Sequence, residues 1–131
     1  MTNNEHYNKC SVVISSYDGN ADIWPAFVTL FFRYWPDCPF PVYLISNYKE
    51  YEDERVKTIK VGEDRGWAAN MKLAIKQIPT QYVICMLDDL FLKKTTNTNY
   101  IKLLVNYVQN NQIAYVGLVP FLDLDESYTD K

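Results

Sequence analysis

Three short runs without a charged residue constrain this chain's fold most: Cys10–Ser15 (CSVVIS), Val42–Ser46 (VYLIS) and 81–87 (QYVICML). A strand that alternates apolar and polar residues buries one face, whereas a continuously apolar strand is buried on both, as in a parallel sheet. Parallel neighbours need crossover connections, and segments of helical period lie between these runs. After CSVVIS, Ser16-Tyr17-Asp18-Gly19-Asn20 has turn composition. Trp24, Phe27, Val28, Phe31 and Trp35 then recur at helical spacing. Asp22 is the expected N-cap of that helix, Pro25 falls in its first turn, and Pro36 and Pro39 close it. Residues 56–61 alternate, with Ile59 and Val61 on one face, and read as a short third strand. A loop over 62–66 leads into an expected helix over 67–78, with Ala68, Met71, Ile75 and Ile78 on one side and Pro79 as its stop. A further helix is expected over 100–109, with Ile101, Leu104, Val105 and Val108 inward, and a fifth strand over 113–119. The expectation is an α/β fold with a mostly parallel central sheet flanked by helices, in a single domain over 1–131, with a loose acidic tail over 123–131.

Composition narrows the functional classes. Thirteen basic against sixteen acidic residues give a net charge of −3, and general nucleic-acid binding wants a basic face. No apolar stretch approaches the ~18 residues that span a membrane. The start, MTNNEHYNK, lacks an apolar signal core. The cysteines Cys10, Cys38 and Cys85 are odd in number and show no metal-binding spacing, which speaks against disulfides and zinc and for a reducing cytoplasm. Cys10 and Cys85, inside apolar runs, read as small core residues.

Ligands of open parallel sheets sit outside the carboxyl ends of the strands. Three polar clusters fall at that edge: Tyr17-Asp18-Gly19, the loop 62–66, and Asp88-Asp89. The acid pair is the sharpest. Two adjacent carboxylates directly after a buried strand repel each other, and a hard divalent cation relieves that repulsion. The plain alternative is that Asp88 caps a turn and Asp89 is solvated. Tyr17 and Asp18 can offer a ring and a carboxylate to a ligand, or form a simple Asx turn. Asp64 reads as the N-cap of the following helix. Arg65 has the chemistry to hold a diphosphate, and Asn70, one turn into the helix, to hydrogen-bond a sugar; both also read as solvated surface groups. Trp67 reads as packing. His6, the one histidine, has no visible partner.

Taken in order, VVISSYDG, the aromatic helix, VYLIS, GEDRGWAANMKLAI and YVICMLDDLFL resemble the nucleotide-sugar-binding, N-terminal half of a bacterial GT-A-type glycosyltransferase of the family 2 kind. The resemblance implies a Rossmann-like, GT-A-type domain. MLDDLFL looks like that family's DxD motif, in a variant where Leu87 stands at the first acid's position. It implies that Asp89 is the direct ligand of Mn²⁺ or Mg²⁺. Asp88 would touch the ribose or donor sugar and share in holding the metal against the diphosphate. Tyr17 and Asp18 would cradle base and ribose, and Asp64, Arg65 and Asn70 would lie beside the donor. The implied reaction moves a sugar from a nucleoside-diphosphate sugar to an acceptor hydroxyl of a glycan or lipid-linked saccharide. Peripheral membrane association is compatible with it. The family's general base lies well beyond the acid pair. Asp123, Asp125 and Glu126 are the only late acids before the C-terminal Asp130, so a further C-terminal domain is expected.

Two other readings stay open. A receiver-like signalling domain has a similar length and alternation. It wants an acidic pair after the first strand and a Lys after the fifth, where this chain has Asp18 alone and Val119-Pro120-Phe121. A non-catalytic nucleotide-binding fragment is the third reading. Neither G-x-x-x-x-G-K-[ST] nor G-x-G-x-x-G occurs.

Overall fold

Residues 9–118 are described by the computed structural model. Their elements run β1 (Cys10–Ser15), α1 (Trp24–Tyr34), β2 (Val42–Ser46), β3 (Val56–Lys60), α2 (Trp67–Ile75), β4 (Tyr82–Leu87) and α3 (Thr98–Asn110), with a 3₁₀ turn at Asp18–Asn20. The strands form one sheet in the order β3-β2-β1-β4. All three pairings are parallel, with Ile14 opposite Leu44 and Met86, and Ser15 opposite Leu87. This is a small Rossmann-like α/β fold, as its apolar strand runs demand.

Strand alternation assigns each side chain to one of two cores. Val12, Ile14, Val42 and Leu44 face Trp24, Phe27, Val28 and Phe31 of α1 and Val105 of α3. Val13, Tyr43, Ile45 and Ile59 face Met71, Ala74 and Ile78. The sheet is therefore sandwiched, with α1 and α3 on one side and α2 on the other. β1 is buried on both faces because it has a strand on each side and a helix above and below.

Several expectations are corrected. Ile23, not Asp22, occupies the N-cap of α1, and no side chain caps it; Pro25 does lie in the first turn. The second helix ends at Ile75, and Ile78 reaches the core from the turn beyond it. Its inward face is Asn70, Met71 and Ala74, whereas Ala68 and Ile75 are exposed. Of the four expected positions Met71 and Ile78 are inward and Ala68 and Ile75 are not, because a polar residue, Asn70, takes an inward position to hold the preceding loop. The third helix starts earlier than expected, capped by the Asn97 side chain, which accepts from the Tyr100 N–H at 3.0 Å. Residues 113–118 form no strand. Strand propensity needs a backbone partner to be realised, and the chain leaves α3 through Gln112 at φ 52° without pairing again among the described residues. Val119, the tail 123–131 and His6 lie outside the described residues. β4 is consequently the edge of the described sheet and not a central strand. No helix among the described residues is long and apolar enough to cross a membrane.

The edge position also corrects the reading of Cys85, which is exposed while Cys10 is buried. Burial, with Cys38 nearby, pushes the Cys10 thiol up to about 11, and burial does the same to Cys38. Burial raises the Cys85 thiol too, but a thiol must be reached to react, and access favours Cys85. Iodoacetamide at pH 8 should alkylate Cys85 first, with Cys10 and Cys38 slower by about tenfold or more. Peptide mass mapping over time checks this; equal rates at the three sites would contradict the burial pattern.

Candidate functional site

The carboxyl ends of the strands open into a cleft of about 300 Å³. Its lining includes Ser15, Ser16, Tyr17 and Asn20 after β1, Ile45 of β2, and Leu87, Asp88 and Asp89 at the end of β4. Asp64, Gly66, Trp67, Asn70 and Met71 complete it from the loop and first turns of α2. Of the residues singled out in the sequence, Tyr17, Asp64, Asn70, Asp88 and Asp89 come together here, whereas Asp18 and Arg65 are not in the lining. None of the lining residues is Lys or Arg.

Adjacent acids at the end of β4 have different surroundings. Asp88 is buried, and its Oδ2 accepts from the Ser16 hydroxyl at 2.5 Å and from the Asn20 amide at 3.0 Å. Its backbone N–H continues the sheet to the Ser15 carbonyl. Asp89 is exposed, and its carboxylate has no hydrogen-bond or ion-pair partner among the described residues. The strand thus delivers one carboxylate anchored by its neighbours and one free at the cleft.

Asp18 works differently. Its carboxylate accepts backbone N–H groups of Asn47, Tyr48 and Lys49 at 2.9–3.3 Å. Its own N–H donates to Asn47 Oδ1, and Asn47 Nδ2 donates to the Gly62 carbonyl. This clasp ties together the carboxyl ends of β1, β2 and β3. Burial raises the Asp18 carboxyl, but the N–H groups of Tyr48, Lys49 and Asn47 outweigh it and hold the group below its ordinary value. Tyr17, fixed between this clasp and β1, stands half exposed at the cleft. Its ring lies over Gly19, where a methyl group would overlap it.

The loop before α2 is pinned by side chains. Asp64 Oδ1 accepts from the Gly66 N–H at 3.0 Å and the Asn70 amide at 2.9 Å, and Asn70 Oδ1 accepts from the Arg65 N–H at 3.2 Å. Gly66, at φ 93°, is itself the N-cap, which corrects the assignment of that position to Asp64. Trp67 is 61% exposed at the cleft mouth and not a packing residue. Ser16 and Asn20 were not singled out as site residues in the sequence. Ser16 and Asn20 follow the end of an apolar strand, and that position alone would have nominated them.

A hard cation fits this arrangement only in company. Among the described residues no three His, Cys, Asp or Glu side chains form a group able to hold a metal. Asp89 and the remaining oxygen of Asp88 offer one or two carboxylates, the number with which Mg²⁺ is commonly held when phosphate oxygens and water supply the rest. Fold and site together define an α/β protein with an acid- and aromatic-lined cleft at the carboxyl edge of its sheet. Comparison of the chain with protein-family models, with curated proteins and with solved structures finds no match.

Proposed function

We propose that this chain is the donor-binding domain of a GT-A-type glycosyltransferase, taking a nucleoside-diphosphate sugar together with Mn²⁺ or Mg²⁺. The observation that carries this reading is the convergence of the Tyr17 ring, the free Asp89 carboxylate and the buried Asp88 in one cleft at the sheet's carboxyl edge. A flat base stacks on the half-exposed Tyr17 ring, and the diphosphate lies toward Asp88 and Asp89. Arg65 is not in the lining, so compensation of the diphosphate charge falls to the cation. When bound, the cation neutralises charge on the departing diphosphate, a Lewis-acid role. In the transfer, the acceptor hydroxyl oxygen bonds to the anomeric carbon as the carbon–diphosphate bond breaks. The hydroxyl proton passes to a base, and the nucleoside diphosphate leaves. Asp64 and Asp88 are engaged in hydrogen bonds that build the cleft, which favours a base from beyond it. A receiver-like domain is disfavoured, because Asp18, its acid after the first strand, is committed to backbone N–H groups.

An anion entering a cleft with acids and no lining Lys or Arg needs its charge compensated. UDP, GDP, CDP and dTDP should therefore raise the melting temperature only when Mn²⁺ or Mg²⁺ is present, and EDTA should abolish the shift. Stabilisation follows ligand excess, about 2.7 kcal/mol at a hundredfold over Kd. Absence of a shift with all four nucleotides, with and without metal, would end this reading. A sugar-transfer assay separates enzyme from binding-only module.

Gly19→Ala tests the Tyr17 platform. The added methyl pushes the half-exposed ring outward, so stability should change by no more than about 0.5 kcal/mol. Nucleotide affinity should fall several-fold, as read by calorimetry with Mn²⁺. Unchanged affinity would remove Tyr17 from the site.

A further inference from the structure

We infer that Trp24, Ser16 and Asn20 form a positioning relay that turns Asp88 so that one carboxylate oxygen is held by the protein and the other is left for the ligand. This rests on the metal–nucleotide reading of the cleft and deepens it.

Hydrogen-bond directions in the relay follow from the chemistry of its members. The indole Nε1–H is a donor only, and it reaches the Ser16 Oγ at 2.7 Å. An ionised carboxylate only accepts, so the Ser16 hydroxyl proton is committed to Asp88 Oδ2, at 2.5 Å. The Asn20 amide donates to that same oxygen at 3.0 Å. Both side-chain bonds to Asp88 thus fall on Oδ2, which fixes the plane and rotation of the carboxyl group. Chains of hydrogen bonds polarise one another in a poorly solvated site. Trp24 is 2% exposed at the start of α1 and cannot swing away without opening the core. Its ring also meets Tyr51 edge-on at 6.2 Å.

Placement explains why such a device is useful. Asp88 directly follows β4, which among the described residues is held on one side only, by β1. Ser16 and Asn20 belong to the connection from β1 into α1 and Trp24 to the first turn of α1, so they fasten the tip of β4 to a rigid neighbour. Without them, two adjacent acids at an unsupported strand end would repel and rotate apart. The relay leaves Asp89 untouched, so the pair is presented as one fixed and one free carboxylate.

The test uses Trp24→Phe, which keeps an aromatic ring and deletes the pyrrole part with its donor, and Asn20→Ala, at a half-buried position where folding is less at risk. Each is compared with the parent by calorimetry with UDP, GDP, CDP and dTDP at saturating Mn²⁺, by the Mn²⁺ concentration giving half-saturation at fixed nucleotide, and by thermal unfolding of the ligand-free protein. The expected result is a rise of fivefold or more in half-saturating Mn²⁺ for both variants, at melting temperatures that leave the protein folded. A merely structural role would lower the melting temperature and leave the Mn²⁺ requirement of the folded protein unchanged; that outcome in Asn20→Ala overturns the relay. A parent that binds none of the four nucleotides with Mn²⁺ removes the underlying reading, and the inference with it. Normal parental binding with parental values in both variants removes the relay alone.

Discussion

Replacing Asp89 by asparagine should weaken metal-dependent nucleotide binding by well over tenfold, more than about 1.4 kcal/mol, and leave the fold intact. Asp89 is exposed and has no partner among the described residues, so nothing in the fold depends on its charge. An amide oxygen is a poorer ligand for a hard cation than a carboxylate, and in a cleft without a lining Lys or Arg the cation is what admits the diphosphate. Melting temperature without ligand should stay the same or rise slightly, since one of two neighbouring acids is neutralised. Asp88→Asn should act differently. Both side-chain hydrogen bonds to Asp88 fall on one oxygen, so an amide oxygen can keep them, but as a neutral acceptor it loses their charge-assisted strength; stability should fall and binding decline less than in Asp89→Asn. Calorimetry with Mn²⁺ and thermal unfolding of both variants separate the roles. Parental affinity in Asp89→Asn would defeat the assignment of Asp89 to the metal.

Asp18→Asn is expected to be the most destabilising single change around the cleft, by about 2 kcal/mol. The carboxylate collects backbone N–H groups from Asn47, Tyr48 and Lys49, and an amide cannot receive them on both of its heads. The cost is set below that of a fully buried network because Tyr48 is exposed and water can reach the loop. A pH dependence follows with a definite sign. The folded protein holds the Asp18 carboxyl below its ordinary value, so the unfolded chain takes up the proton first. This stabilisation is complete above the unfolded value and is lost as pH falls below about 4 through the lowered folded value. Denaturant unfolding of parent and variant should therefore differ by the full amount at pH 7 and converge toward pH 2. A constant difference across that range would show that the clasp acts through shape and not through charge.

How far the chain could be read beforehand depended on the kind of signal each segment carries. β1 and β2 are unambiguous because no charged residue interrupts them and both of their faces are buried. β4 carries the same kind of sequence, yet among the described residues no strand pairs with its outer side, and Cys85 and Leu87 are exposed. An apolar run states that a strand can be buried, not that a neighbour is there to bury it. The same reason explains 113–118, which has strand propensity and no pairing among the described residues. The acid pair and Tyr17 were found from position alone, since a turn following a parallel strand must emerge at the carboxyl edge. Their partners were not, because Ser16 and Asp88 are separated by 72 positions and meet only across the β1–β4 pairing.

The sequence by itself therefore determined the α/β alternation, the parallel strands and the edge at which the polar residues gather, all of which follow from local periodicity and strand polarity. Only the tertiary structure decided what each polar group does there. Folding committed Asp18 to the backbone of the β2 loop, Asp64 and Asn70 to each other and Asp88 to Ser16 and Asn20, and left Asp89 free. Four carboxylates of one chemical type thus acquired separate roles, because a hydrogen-bond partner is set by which strand ends lie side by side, and side-chain chemistry alone does not contain that.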